Sequence, residues 1–466
     1  MESSDQNNNQ KKSKHRPIYY FFGSLVTALF LTWLVKEPTF NDSQVYVLFL
    51  LFFAIGLWLT EAIPPFAVSL FIMSFLVFAI GNKYFNSAPE PVDRFVNTFS
   101  SRVIWLMLGG FFLASAMTKT KLNVTLMKLT LKVSGTNPRN ILFCVMITAM
   151  LISTVMSNSA TASMLVAASL PLLNSLGKSN LTKAFLLGIA VAATTGGMAT
   201  IIGNSPNVIS AGMLEKNGIE VTFLNWLAYG APLTIVLTIL TGWIINRQFI
   251  KHAPPVSMEF MHHEKSEMTP ELKRSRKIVV AVILVTVLFW LTTSIHGISA
   301  AAISAIPLVV LSLSGILTGA DVKTLPWDIL LLVAGGLSLG VALEYTGVME
   351  HYALKIKSLD VHPLVFFLIL GYAAMLLTGI MSDAATSTIF IPIGMALLPE
   401  HKEQIAIIIG LSASTAIFLP VSTACNSIVF STGFLEQKDF RIVGFVMALF
   451  GPLLAVAWVL LLTSHT

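Results

Sequence analysis

An all-α integral membrane protein of about eleven spanning helices, arranged as two inverted repeats, is the fold class this sequence predicts. Three observations carry it. Of the 466 residues, 55% are apolar and 11% charged, and the mean hydropathy is +0.79; a soluble globular chain carries about a quarter charged residues. Apolar runs long enough to cross about 30 Å of hydrocarbon recur along the whole chain. Finally, two short polar patches occupy matching places in the two halves, Met-Ser-Asn-Ser-Ala-Thr at 156–161 and Met-Ser-Asp-Ala-Ala-Thr at 381–386. Ser157 lies 48 residues after Gly109, and Ser382 lies 47 after Gly335.

Nine simple spans are predicted at 18–35, 45–63, 65–81, 103–118, 228–246, 277–295, 298–317, 327–343 and 441–463. The polar residues 1–16, ending in Lys11, Lys12, Lys14 and Arg16, read as an uncleaved cytoplasmic tail. Segments 139–156 and 160–176 flank the first patch, and 362–381 and 385–398 flank the second. Each pair reads as a re-entrant hairpin with arms near or below spanning length. Its polar tip is tolerated at membrane depth only where protein or a water-filled cavity surrounds it. After each hairpin an apolar run is interrupted once: 182–214 at Gly203-Asn204-Ser205-Pro206-Asn207, and 402–434 at Ser422-Thr423-Ala424-Cys425-Asn426. Gly203 and Pro206 let the backbone leave the helical ladder; the second interruption contains neither residue type.

With the N-terminus inside, eleven crossings put 21 of the 29 Lys and Arg on the cytoplasmic side, as the positive-inside rule asks. The C-terminus is then extracellular, in the plasma (inner) membrane. The first hairpin enters from the cytoplasm and the second from outside. Domains follow as a first repeat at 17–250, a cytoplasmic linker at 251–276 and a second, inverted repeat at 277–466. The linker pair His262-His263 lacks the Cys or carboxylate spacing of a metal site. Cys144 and Cys425 fall in membrane segments of opposite halves and read as packing residues. Lys119, Lys121, Lys128 and Lys132, interleaved with Leu122, Leu126 and Leu129, suit a helix lying in the interface. Asp321-Val322-Lys323 and Lys355-Lys357-Asp360 take the equivalent places in the second repeat. Trp33, Trp58, Trp105 and Trp327 read as interfacial anchors.

Interrupted helices at corresponding positions of inverted repeats place a binding site between them. Helices starting just after 157–159 and 382–384 leave unpaired N–H donors and about half a positive charge at each start. Two such tips approaching from opposite faces suit a ligand with two anionic ends, and their carbonyls and hydroxyls offer oxygen ligands to a small cation. An intramembrane enzyme would need a nucleophile and base within reach. His296, near a predicted outer end, and His351, in a predicted outer loop, stand beside neither patch, so no catalytic residue is assigned. No cofactor, structural metal or nucleic-acid partner is indicated; the coupling ion, if there is one, is Na+ or H+.

At these residues the chain resembles the divalent anion/sodium symporter family, the SLC13-like dicarboxylate transporters, from Trp58-Leu59-Thr60-Glu61-Ala62-Ile63-Pro64 to Leu419-Pro420-Val421-Ser422-Thr423. The resemblance implies a homodimer in lipid, each protomer a fixed scaffold with an elevator-type transport domain, moving small dicarboxylates such as succinate, malate, fumarate and 2-oxoglutarate. It implies substrate contacts from Ser157, Asn158 and Ser159, and from Ser382, Asp383 and Ala384; Asn207 and Asn426, at matching places in the two broken helices, join them by the symmetry of the repeats. Cation or coupling ligands would come from Ser153, Ser157, Asn158 and Gly203, and from Thr378, Asp383 and Ser422.

The family's Ser-Asn-Thr triplets read Ser157-Asn158-Ser159 and Ser382-Asp383-Ala384 here. Ser159 keeps the expected hydroxyl and Ala384 removes it. An ionised Asp383 would repel a substrate carboxylate about 5 Å away by roughly 3 kcal/mol at an effective dielectric near 20, and no Lys or Arg lies between 403 and 437. Sodium symport, proton symport through Asp383 and dicarboxylate exchange all stay open. Because both triplets depart from the pattern, the expectation leans to exchange with weak or no sodium dependence. An arsenite or sodium/proton-type ion carrier shares the broken-helix logic and is the more distant alternative.

Overall fold

The computed structural model describes residues 2–86, 89–251, 253–256, 269–357 and 361–464, with side chains from Pro17 onward. The chain opens with α1 (Glu2–Val35), α2 (Asp42–Thr60) and α3 (Pro65–Phe75), the last continued by a π-helical turn at Leu76–Ile80. Asn41 and Gln44 form a reciprocal capping box at the start of α2. A short turn, α4 (Asp93–Val96), leads to α5 (Arg102–Lys119) and α6 (Leu122–Ser134). Next come the first hairpin, α7 (Pro138–Ser153) and α8 (Asn158–Leu176), the first broken helix, α9 (Asn180–Gly197) and α10 (Ser205–Lys216), and α11 (Phe223–Ile245).

The second half repeats this order. It runs through α12 (Pro270–Leu291), the short α13 (Thr293–His296), α14 (Ala300–Ile303), α15 (Ala305–Leu313) and α16 (Gly319–Lys323), then α17 (Trp327–Tyr345) and α18 (Val348–Lys357). The second hairpin is α19 (Pro363–Thr378) and α20 (Asp383–Leu397), the second broken helix is α21 (Lys402–Ala413) and α22 (Ala424–Ser431), and α23 (Arg441–Thr463) closes the chain. Both hairpins start alike. Asn137 and His362 cap helices whose first residue is proline, accepting from the N–H of Arg139 and of Leu364, where a missing backbone donor costs nothing.

Several boundaries differ from those the sequence predicts. Among the described residues seven helical stretches are long and apolar enough to cross a bilayer, and α8 is one of them; the second arm of the first hairpin is therefore of full spanning length. The run 298–317 is split into α14 and α15 at Ser304, whose hydroxyl turns back to Ala300 O at 2.9 Å. Helix α12 begins at Pro270 rather than 277 because Thr269 caps it, so Lys273, Arg274 and Arg276 are helical and not linker. The pair His262-His263 and Asp360 lie outside the described residues. Residues 2–15, expected as a tail, are helical within α1.

The halves interlock through small residues. A Cβ at Gly335 of α17 would stand 2.6 Å from the Ser69 backbone of α3, and one at Gly109 of α5 would stand 2.6 Å from Ser304 Cβ. Each glycine thus admits a helix of the opposite half, the close approach that membrane helices use in place of a hydrophobic driving force. Ser210 of α10 sits against Gly410 of α21 and donates to Ala406 O at 2.8 Å, locking one broken helix onto the other. Helix α6 buries Met127 and Leu131 while Leu129 and Val133 stay exposed. Its entry is tied across the halves: Lys119 Nζ lies 2.5 Å from Asp321, and with Thr318 it holds that carboxyl down to about 2.

Candidate functional site

Four helices start at one place. Ser157 caps α8, accepting from Ala160 N at 3.4 Å; Asn204 caps α10, accepting from Ser205 N at 3.0 Å; Ser382 caps α20, accepting from Ala385 N at 3.2 Å; Thr423 caps α22, accepting from Asn426 N at 3.1 Å. All four caps line a single cavity of about 220 Å³, walled on its apolar side by Met107, Phe111 and Ile329. Each start carries about half a positive charge, and no Lys, Arg or His lines the space among the described residues. Donors to an anion here are backbone N–H groups at helix starts and neutral side chains such as Ser159.

The breaks that create two of these starts come earlier in the chain than the sequence predicts. The first runs over 198–204 and the second over 414–423, so Ser205, Pro206 and Asn207 already belong to α10, and Ala424, Cys425 and Asn426 to α22. Pro420 lies inside the second break, which therefore does contain a helix-breaking residue. Glycines time the first break by close approach. A Cβ at Gly196 would stand 2.8 Å from Met150 Cα, one at Gly197 would run into the Asn158 amide, and one at Gly203 would stand 2.5 Å from Gly197 O.

Asn207 and Asn426 hold the breaks rather than line the cavity. Asn207 is fully buried and its Nδ2 donates to Gly197 O at 2.8 Å and Thr200 O at 2.7 Å. Asn426, at the same third helical position, donates to Ile417 O at 3.1 Å and Leu419 O at 2.8 Å. Each side chain ties carbonyls freed by the interruption to the helix that follows it. Asn207→Ala should lower stability by about 2–4 kcal/mol, because two buried carbonyls lose their donor. The readout is the thermal unfolding midpoint in detergent, and an unchanged midpoint would refute the latch.

Of the other expected residues, the cavity gathers Ser157, Asn158, Ser159, Gly203, Ser382, Asp383 and Ser422. Ala384 is buried outside it, and Thr378 is buried with its hydroxyl unpartnered. Ser153 sits behind the first tip, where it builds a cluster. Its Oγ lies 2.6 Å from Ala193 O and 2.9 Å from Asn158 Oδ1, and that amide head lies 3.2 Å from both Gly203 O and Ala193 O. Hydroxyl, amide and two carbonyls gathered around the Asn158 amide head form an oxygen-rich set of the kind that suits a small hard cation; with its amide turned about, Asn158 donates to Ser153 Oγ, Ala193 O and Gly203 O.

The second tip is built differently. Asp383 Oδ1 accepts from Ala384 N at 2.7 Å, and Asn204 approaches the carboxylate from the opposite half. Asn204 Nδ2 also donates to Ser414 Oγ at 2.9 Å, joining the two breaks. Sequence reasoning missed Ala193, Asn204, Ser414 and Thr423. The signal for two of them was present, since Asn204-Ser205-Pro206 and Thr423-Ala424 follow the cap-then-helix pattern, whereas Ala193 contributes only a carbonyl. His351, expected in a loop, lies in α18 against Phe40 and Tyr352 and does not line the cavity.

This fold and this site define a multi-pass membrane transporter. More particularly, the chain belongs to the sodium:sulfate symporter family, whose transmembrane region it matches over residues 18–464; the resemblance to divalent anion/sodium symporters is thereby borne out. It is 28% identical to the sodium-dependent dicarboxylate transporter SdcS of Staphylococcus saprophyticus, over 94% of this chain and 90% of that protein. The SdcS protein of Staphylococcus aureus USA300 is 26% identical over 88% of this chain and 84% of its own length. Two solved structures share the fold at 15% identity: the YdaH transporter of Alcanivorax borkumensis, with a TM-score of 0.58 over 85% of this chain and 98% of that one, and MtrF of Neisseria gonorrhoeae, with 0.54 over 85% and 94%.

Proposed function

We propose that the protein is a secondary active transporter of C4–C5 dicarboxylates, among them succinate, malate, fumarate and 2-oxoglutarate, and that it favours exchange of one for another. The observation that carries this reading is the meeting of four capped helix starts on one cavity without a basic side chain: backbone donors recognise carboxylates. The names of the SdcS relatives point to the same substrate class and to sodium. The oxygen cluster of Ser153, Asn158, Ala193 and Gly203 fits one co-transported sodium ion at the first tip. At the second tip Asp383 and Ala384 replace the expected amide and hydroxyl, so the two tips no longer form a matched pair of sites, and the reading leans to exchange for that reason.

In this reading α7–α11 and α19–α23 carry the cavity across the membrane as one body, in an elevator motion. Helices α1–α3, α5, α12–α15 and α17 form the scaffold, with α6 and α18 as connecting arms, in a homodimer whose N-terminus is cytoplasmic and whose C-terminus is extracellular.

Labelled succinate uptake into proteoliposomes tests it. Vesicles preloaded with succinate should accumulate label at least tenfold faster than empty ones, since only the loaded carrier returns. Strong sodium-driven uptake into empty vesicles would replace exchange by symport. Absence of uptake for every C4–C5 dicarboxylate, under either condition, would remove the dicarboxylate reading itself.

A further inference from the structure

The two tips occupy equivalent places, yet their hydrogen-bonding capacity is opposite. At the first tip, among the described residues, Ser157 Oγ accepts only from Ala160 N, at 3.4 Å. The N–H groups of Asn158 and Ser159 and the Ser159 hydroxyl have no recorded partner beside the cavity. A carboxylate placed there meets free donors. At the second tip Ala385 N bonds Ser382 Oγ at 3.2 Å just as Ala160 N bonds Ser157 Oγ, but Ala384 N, the counterpart of the Ser159 N–H, is spent on Asp383 Oδ1 at 2.7 Å. The methyl of Ala384 supplies no hydroxyl, and the residue is buried outside the cavity lining. What this tip presents is an acceptor, the Asp383 carboxylate, which already takes the Ala384 N–H and is approached by the Asn204 side chain.

An acceptor facing an acceptor in a space of about 220 Å³ is repulsive. We propose that the ligand's two ends differ: one carboxylate for the first tip, and at Asp383 a hydrogen-bond donor, either a protonated carboxyl or a carboxamide, so that the acid enters as a monoanion. This rests on the dicarboxylate reading and narrows it. The shared chemistry is a short acid with a donor head. Hydrogen succinate and its monoamide, succinamate, are the two probes that carry it, and monomethyl succinate has the same charge without the donor.

The experiment is competition against labelled succinate in succinate-loaded proteoliposomes of the full chain at neutral pH, with and without sodium. In the wild-type protein succinamate should compete about tenfold or more better than monomethyl succinate, because a site built for a donor rejects the analogue lacking it. Succinate, mostly a dianion at neutral pH, should compete less well than succinamate in the wild type, and Asp383→Asn, which itself donates, should reverse that order by a similar factor. Equal competition by succinamate and monomethyl succinate in the wild type would overturn the proposal without recourse to any variant. So would succinate outcompeting succinamate only when sodium is present, which would mean that a cation neutralises Asp383. Wild-type protein that exchanges no dicarboxylate at all would instead defeat the reading on which the proposal rests.

Discussion

Gly197→Ala is expected to cut succinate transport about 100-fold, the cost of moving a positioned group by roughly 1 Å, while leaving the fold in place. A Cβ at this position would stand 2.8 Å from the amide carbon of Asn158 and 2.9 Å from its Nδ2, with the amide oxygen nearer still. The clash falls on the far end of one side chain, which can swing away at modest cost. Swinging away, however, dissolves the cluster of Ser153 Oγ, Ala193 O and Gly203 O around that amide. Transport should fall and any sodium dependence should vanish, with little change in thermal unfolding. Full transport by this variant would show that Asn158 does not need its observed place.

The neighbouring substitution should do the reverse. Gly196→Ala puts its Cβ 2.8 Å from Met150 Cα and 3.0 Å from the Met150 carbonyl carbon. Those are backbone atoms of α7, and no rotamer relieves them. The helices α7 and α9 must separate, an overpacking cost of about 3 kcal/mol at the upper end of the usual range. Reduced yield and a lowered unfolding midpoint in detergent would be the readout. A variant as stable as the parent would mean that the hairpin and the broken helix tolerate a looser contact than their geometry implies. Adjacent glycines thus separate assembly of the site from packing of the fold.

Much of this was legible in the sequence because membrane solvent makes apolar length informative. Both hairpins appear close to the positions that hydropathy assigns, and both tips fall at the polar patches. The misjudged boundaries share a physical origin. Hydropathy locates polar residues, but a helix stops where its C=O groups lose N–H donors or a neighbour comes too close. The first break therefore starts after Gly197, where the Asn158 amide presses in, and not at the more conspicuous Gly203-Asn204-Ser205-Pro206. By the same distinction Asn207 and Asn426, expected as substrate contacts, bond the carbonyls of the breaks and lie outside the cavity lining. A buried asparagine near a break can serve either role, and only the carbonyls within reach decide which.

The sequence by itself determined the membrane class, the doubled hairpin and broken helix, and the position of both tips, because each depends on local polarity and on spacing along one chain. Only the tertiary structure decided that four helix starts face one cavity, that Ala193 and Gly203 lend carbonyls to the Asn158 cluster, and that the second tip spends the Ala384 N–H on Asp383. Those facts depend on atoms from distant segments meeting within hydrogen-bond range. Backbone carbonyls and N–H groups carry no residue identity, so no pattern of letters records where they point.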